Sequence, residues 1–339
     1  MIVILTGAYK NIGDHLIGQR AKKLLEKFVD DDIVELDRKD NLSRHIETIN
    51  KSKALILCGG PAYSEKIYPN IYPLTNLNDI KVPIIPFGLG LSKDEMTTNN
   101  FHFTPKAEKF ISLIHSKIKF SSCRDNMTQT MLNKIGINNV MMTGCPVWYE
   151  LDKLERPFKT NNKMKKIVFT TPAKPLRLIQ TIRLMSFARK KFPKSKLYCT
   201  FHRGLTHENK LKIDITISYF LMSFFARILN FEVLDVSKSL LDIEFYKDCD
   251  FHIGYRVHAH LFFLSNKIPS ILINEDIRGK GMSEALKLPV FNFNDKNLFT
   301  NIDSFLNQNI ANNFASYERI NILFKTTFET MKTFLGTIK

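Results

Sequence analysis

Cysteine is scarce and scattered: Cys58, Cys123, Cys145, Cys199 and Cys249 lie no closer than 22 residues apart. No Cys-x-x-Cys pair exists, which excludes a zinc knuckle and a thioredoxin-type redox motif. An odd, dispersed set reads as reduced thiols packed as small apolar residues, the usage expected of a cytosolic protein. Glycine (14) and proline (13) are too few for a collagen-like or linker-dominated chain. Long uncharged apolar runs are missing as well. The most apolar stretch, 213–233, carries Asp214, Arg227 and Asn230 and does not read as a membrane span. No basic leader or cleavage site precedes the opening Met-Ile-Val-Ile-Leu, so no signal peptide is expected. Negative charge is the last shortage. The 33 Asp and Glu face 49 Lys and Arg, a net charge of +16, and such a surplus implies an anionic substrate or partner.

What is present is an ordinary globular balance, 44% apolar and 24% charged, over a length that exceeds one usual hydrophobic core. Short β-branched runs recur at 2–5, 33–36, 54–58, 82–88, 119–123 and 140–143. They continue at 166–170, 196–201, 232–235, 250–254, 270–274 and, weakly, 289–293. Helical spacing fills 15–28, 104–118, 126–135, 177–191, 211–229, 240–247 and 258–264. Continuously apolar strands separated by helices predict parallel sheets covered on both faces. Twelve such strands fit an α/β protein of two Rossmann-like parallel-sheet domains facing a cleft better than a closed barrel. The expected divisions are 1–152 and 165–312, joined across the polar stretch 152–165, with a closing helix at 315–337 packing back on the first domain.

Ligands of open parallel sheets collect where strand carboxyl ends meet helix amino ends. The first such corner is Gly7-Ala-Tyr-Lys-Asn-Ile-Gly-Asp14, neither a P-loop nor Gly-x-Gly-x-x-Gly. Asp14 suits a helix N-cap, or a sugar hydroxyl better than a phosphate. Cys58-Gly-Gly-Pro-Ala-Tyr63 and Phe87-Gly-Leu-Gly-Leu-Ser92 place glycines after buried strands, where tight turns explain them as well as a ligand does. Arg124 and Asp125 precede a helix, with Asp125 able to cap it.

The richest corner is Asp250-Phe-His-Ile-Gly-Tyr-Arg-Val-His-Ala-His-Leu261. Helix-start amides, Arg256 and the His258 imidazole would converge there, an arrangement suited to carboxylate or phosphate. His258 can act as acid or base near neutral pH, and His260 is expected to support. Two more corners of the same half carry His202 with Arg203, and Arg278 with Lys280. Together Arg203, Arg256, Arg278 and Lys280 suggest a site for a small, multiply charged anion.

Other signatures fail. No His-Glu-x-x-His or Gly-x-Ser-x-Gly is present, and Asp30-Asp-Asp32 reads as a solvated loop. Basic residues are dispersed rather than interleaved with aromatics, so nucleic acid is not an expected partner. The segment 177–194 mixes apolar residues with Arg and Lys and could lie on an anionic membrane, or be a solvated helix.

In its order of corners the chain resembles the polysaccharide pyruvyltransferase family. The resemblance rests on Asn-x-Gly-Asp (Asn11 to Asp14), Gly59-Gly60, Gly88-x-Gly90, Arg124-Asp125 and Gly-x-Arg-x-His (Gly254, Arg256, His258), with Pro269 downstream. It spans roughly 1–290. The family pattern is broken at Pro61, Leu89, Cys145-Pro146 and Arg278. The resemblance implies a GT-B-like fold and transfer of the enolpyruvyl unit of phosphoenolpyruvate onto two hydroxyls of one sugar, with release of phosphate. It implies Arg256 and His258 as donor-holding and catalytic residues. The acceptor, a cell-surface glycan or its lipid-linked precursor, would lie in the first half with Asn11, Asp14, Gly59, Gly60 and Arg124. No cofactor and no metal is expected beyond phosphoenolpyruvate as co-substrate. The location implied is cytoplasmic, peripheral to the inner face of the membrane. The alternatives are a GT-B glycosyltransferase using a nucleotide sugar and a basic, non-enzymatic membrane adaptor.

Overall fold

The computed structural model describes residues 1–7, 11–65, 72, 77–93, 95–159, 163–173, 177–205 and 213–338. Six strands precede residue 150: β1 (Ile2–Thr6), β2 (Ile33–Asp37), β3 (Leu55–Cys58), β4 (Ile84–Phe87), β5 (Ser121–Cys123) and β6 (Val140–Met142). Helices α1 (Ile12–Phe28), α2 (Ile46–Asn50), α3 (Pro105–His115) and α4 (Asn126–Lys134) alternate with them. The order β2-β1-β3-β4 is parallel throughout. A bridge from Leu89 to Cys123 and the bond from Gly88 N–H to Ser122 Oγ (3.0 Å) carry the sheet on to the parallel pair β5–β6.

The second half holds β7 (Lys166–Thr170), α5 (Leu178–Lys191), β8 (Lys196–Phe201), α6 (Ile213–Ile228) and β9 (Phe231–Asp235). A 3-10 segment at Leu240–Asp248 leads to β10 (Phe251–Gly254), α7 (Val257–Ser265), β11 (Ser270–Asn274), α8 (Ile277–Ala285), β12 (Phe291–Asn292) and α9 (Leu298–Ala311). These strands form one parallel sheet ordered β12-β11-β10-β7-β8-β9. From β7 the chain winds outward through β8 and β9, then returns to β10 on the other side. The topological switch point therefore falls between β7 and β10, where a crevice opens beyond the strand ends. The same argument puts the switch point of the first sheet between β1 and β3.

Strands β1, β3, β4, β10 and β11 are buried along their whole length, as their unbroken apolar runs require, whereas the edge strands β2 and β9 stay half-exposed. All five cysteines are buried and unbridged. The closing helix α10 (Glu318–Leu335) lays Phe334 on Phe87, Phe324 on Trp148 and Phe328 on Tyr149, and Lys267 reaches its Asn321. A fully buried Phe stabilises by about 2–3 kcal/mol, so α10 ties both sheets into one core.

Three helices escape the sequence pattern. α2 is only five residues long, and α9 was hidden among Asn and Asp residues. Helix α8 contains Gly279 and Gly281, which read as loop. A Cβ at Gly279 would stand 2.5 Å from Asn274 Oδ1, and one at Gly281 would meet the Asp125 carboxyl at 3.0 Å. Both glycines let α8 press against its neighbours, a demand of tertiary packing that propensity cannot reveal. The expected Asp14 cap is also corrected: Asn11 occupies the N-cap of α1, and Asp14 lies in the first turn, paired with Arg38 (2.7 Å).

Candidate active site

A narrow cleft opens at the two switch points and is lined from both halves. Its floor is the β10–α7 corner. Gly254 lies against β7 so closely that a Cβ would stand 2.4 Å from Thr170 Oγ1 and 2.5 Å from the Thr170 carbonyl oxygen. Arg256, the N-cap of α7, donates its backbone N–H to Thr170 Oγ1 (3.2 Å). Thr170 Oγ1 also bonds His252 Nε2 (2.9 Å), and Ser270 Oγ joins His252 Nδ1 (2.7 Å) to His260 Nδ1 (2.6 Å). This buried chain of polar groups fixes the backbone that carries Arg256 and His258. His260 belongs to it rather than to the cleft, and burial pushes its basicity down to about 3.

The Arg256 guanidinium is buried. Nη2 donates to the Pro172 carbonyl (3.0 Å), while Nε has no hydrogen-bond partner among the described residues. Burial lowers its pKa, and Arg203 and Arg278 add like charge. A buried donor without a partner costs about 1–3 kcal/mol, so an anion entering here would relieve it. Among the described residues no side chain caps α7, which leaves its first amides available to the same anion. His258, the second residue of the helix and half-buried, is pushed down to about 4, mainly by burial; Asp14 opposes the shift, while Arg278, Arg124 and Arg38 reinforce it. Its imidazole is neutral at pH 7.

Arg203, exposed at the end of β8, and Arg278, at the start of α8, complete the cationic wall. Arg278 is partly compensated by Asp276, the α8 cap, through Nε (2.9 Å) and Nη2 (2.5 Å). Lys280 lies outside the lining and faces Glu284 (3.6 Å). Two acidic neighbours stand beside these cations, and nothing in their sequence pattern marks them as part of a site. Glu275 and Asp276 both line the cleft. Glu275 accepts from the Ala173 N–H (3.2 Å) and pairs with Arg177 Nε (3.3 Å), and burial raises its pKa. Tyr255 and the buried His202 line it too; His202 Nε2 is tied to the Tyr246 hydroxyl (2.9 Å).

From the first half, Asn11, Gly13, Arg124 and Cys145 reach the cleft. Gly13 faces His258 at a distance only glycine allows, since a Cβ would stand 2.6 Å from Nδ1. The Ile12 N–H donates across to the His202 carbonyl (3.3 Å). Asn11 Nδ2 bonds the Asp14 carboxylate (3.0 Å), and Arg124 Nη2 bonds the Leu91 carbonyl (2.7 Å). Asp14 stands behind Asn11 rather than in the lining. Gly59 and Gly60 are not in the lining either: Gly59 is pressed against Ile17, where a Cβ would come within 2.2 Å, and Gly60 accepts from the Gly90 N–H (3.1 Å). The structure thus gathers Arg203, Arg256, His258 and Arg278 with Asn11 and Arg124, and leaves Lys280, Asp14, Gly59 and Gly60 outside.

Two parallel, doubly wound sheets with ligand-lining corners turned toward each other define the GT-B class. MnaA of S. aureus, solved with UDP, superposes with a TM-score of 0.58 at 13% identity over 99% of this chain and 98% of that one. The UDP-GlcNAc 2-epimerase of Neisseria meningitidis, bound to UDP-GlcNAc, gives 0.57 at 12% over 99% and 100%. TarM of S. aureus, solved with UDP among its ligands, gives 0.52 at 16% over 88% of this chain and 57% of its own. No curated protein matches the chain significantly in sequence. The family profile described as polysaccharide pyruvyl transferase matches residues 11–277. The chain belongs to that family, and with it to the transferases.

Proposed function

We propose that the cleft transfers the enolpyruvyl unit of phosphoenolpyruvate to two hydroxyls of one sugar, forming a cyclic pyruvate ketal and releasing phosphate. The observation that carries this reading is the convergence of Arg203, Arg256, Arg278 and an uncapped helix start around the unpartnered Nε of Arg256. A three-carbon donor with a carboxylate and a phosphate matches several separated cations better than a monoanion does. The donor therefore belongs to the second half, 165–312, and the saccharide to the first, 1–152, with Asn11 and Arg124 nearest the hydroxyls.

The donor's methylene carbon takes up a proton, leaving an oxocarbenium-like centre at C2. One sugar hydroxyl adds there and gives up its proton. Phosphate then departs with the electron pair of the C2–O bond and takes one proton, and the second hydroxyl adds to the renewed cation and loses its own proton. One proton is gained at carbon and one by phosphate, matching the two that leave the hydroxyls. The neutral His258 imidazole suits the role of base toward a hydroxyl. The acceptor is a glycan or its lipid-linked precursor.

The second reading, transfer from a nucleotide sugar, is favoured by the UDP-bearing structures that share the fold over almost the whole chain. Fold does not determine function, so the test is direct. Phosphoenolpyruvate should raise the melting temperature and release phosphate only when a saccharide acceptor is present. Stabilisation by UDP-sugars with none by phosphoenolpyruvate would overturn the first reading in favour of the second.

A further inference from the structure

Helix α6 turns an apolar face outward. Ile217, Phe220, Phe224 and Ile228 are 52%, 65%, 49% and 59% exposed. Their spacing of three, four and four residues sets them in one row, while Tyr219, Met222 and Ala226 on the opposite side fill the core. Single exposed apolar residues are ordinary, but a contiguous row of this kind marks a contact surface. No helix among the described residues is long and apolar enough to cross a membrane.

The surroundings of the row select its occupant. The crossovers β7-α5-β8 and β8-α6-β9 step the same way along the sheet, so right-handed connections put α5 and α6 on one face. Arg189 fastens their carboxyl ends together, donating to the carbonyls of Leu229 (2.9 Å) and Asn230 (2.6 Å). Exposed cations outnumber anions beside the row: Arg227 on α6 itself and Lys190 on α5, against the single exposed carboxylate of Asp214 in the first turn of α6. Self-association through this face would set one +16 chain against another. An anionic bilayer offers both a place for the aromatics and opposite charge for the cations.

We propose that α6 is a membrane-docking face that lays Ile217, Phe220, Phe224 and Ile228 into the interface of an anionic bilayer. It replaces the stretch 177–194 suggested by the sequence, where Arg177 is buried against Glu275 and Lys191 is held by Asp303. The face is independent of the reaction assigned to the cleft.

The experiment is flotation of the full chain with vesicles of phosphatidylglycerol and phosphatidylcholine, beside vesicles of phosphatidylcholine alone. Binding is expected to the anionic vesicles and to weaken with salt. The double variant F220S/F224S should lower the partition coefficient about tenfold or more. Lys190→Ala should lower it roughly fivefold. Both variants alter exposed positions, so unchanged circular dichroism and melting temperature accompany the loss. Phe220→Trp adds a depth probe to the one buried indole, Trp148, and brominated lipid should quench it. Full binding by F220S/F224S, or an unquenched Trp at 220, would overturn the proposal. So would a lipid-free dimer that the same variants dissolve, with no vesicle binding, since a second copy would then be the occupant.

Discussion

His258 stands in a pocket where burial and the cations of Arg278, Arg124 and Arg38 hold its imidazole neutral down to about pH 4, against the pull of Asp14. In the proposed role of base His258 must be unprotonated to act, so activity is expected to be complete above that value and to be lost as pH falls through it. The acid limb of kcat/KM is expected near pH 4 rather than near the 6.5 of a free imidazole. His258→Gln should lower kcat roughly 10²–10⁴-fold and remove that limb, and a limb persisting in the variant would assign it to another group. In the proposed reaction Arg256 would hold the donor. Arg256→Ala should weaken phosphoenolpyruvate binding by about 10–100-fold, measured by calorimetry, and unchanged affinity would count against the site. Arg256→Lys keeps the charge but not the fork, so partial recovery is expected. These two residues were legible in the sequence because Arg-x-His after an apolar run names a strand-to-helix corner. Glu275 and Asp276, two positions beyond another strand, were not, since an acidic pair at a loop looks solvated until a fold folds it over an arginine.

At the level of elements, the corner between β10 and α7 depends on close contact with β7. Gly254→Ala places a methyl within 2.5 Å of the Thr170 backbone, where neither side can yield cheaply. Destabilisation of about 2 kcal/mol or more is expected in chemical denaturation; a neutral result would mean that β7 and β10 can part without cost. Phe324→Ala on α10 should cost about 3–5 kcal/mol, because the ring is fully buried against Trp148. All twelve strands coincide with short apolar runs in the sequence, most plainly β1, β3 and β4, which are buried along their whole length, and least plainly the half-exposed edge strands β2 and β9, where Glu35 and Glu232 break the pattern. Helix α8 was not legible in the sequence, because its glycines answer to Asn274 at the end of β11 and to Asp125 at the cap of α4 rather than to helix propensity.

Across the whole molecule, buried imidazoles couple stability to pH. His202 and His252 are held well below the ordinary value by burial, His258 at about 4 and His260 at about 3. The unfolded chain takes up these protons below about pH 6.5, whereas the folded chain does not until far lower. Their contribution is therefore present in full above pH 6.5 and declines as pH falls from there. The melting temperature should drop steadily between pH 6.5 and 4.5 in calorimetry, and a flat profile would contradict the neutral, buried state of these rings.

Period, charge and corner were decided by the amino-acid sequence alone: twelve apolar runs imply two parallel sheets because the side-chain pattern of a doubly covered strand is local. The excess of +16 and the Arg-x-His corner are equally local, and the expectation of an anionic substrate rests on them. Which corners meet was decided only in three dimensions. Gly59 and Gly60 carry the same chemistry as Gly13, yet only Gly13 faces His258, because the relative placement of two sheets is set by the packing of α1, α7 and α10 between them. The outward row on α6 is equally a tertiary fact. In sequence its residues look like core, and only the folded chain shows that Tyr219, Met222 and Ala226 already fill the place they would have taken.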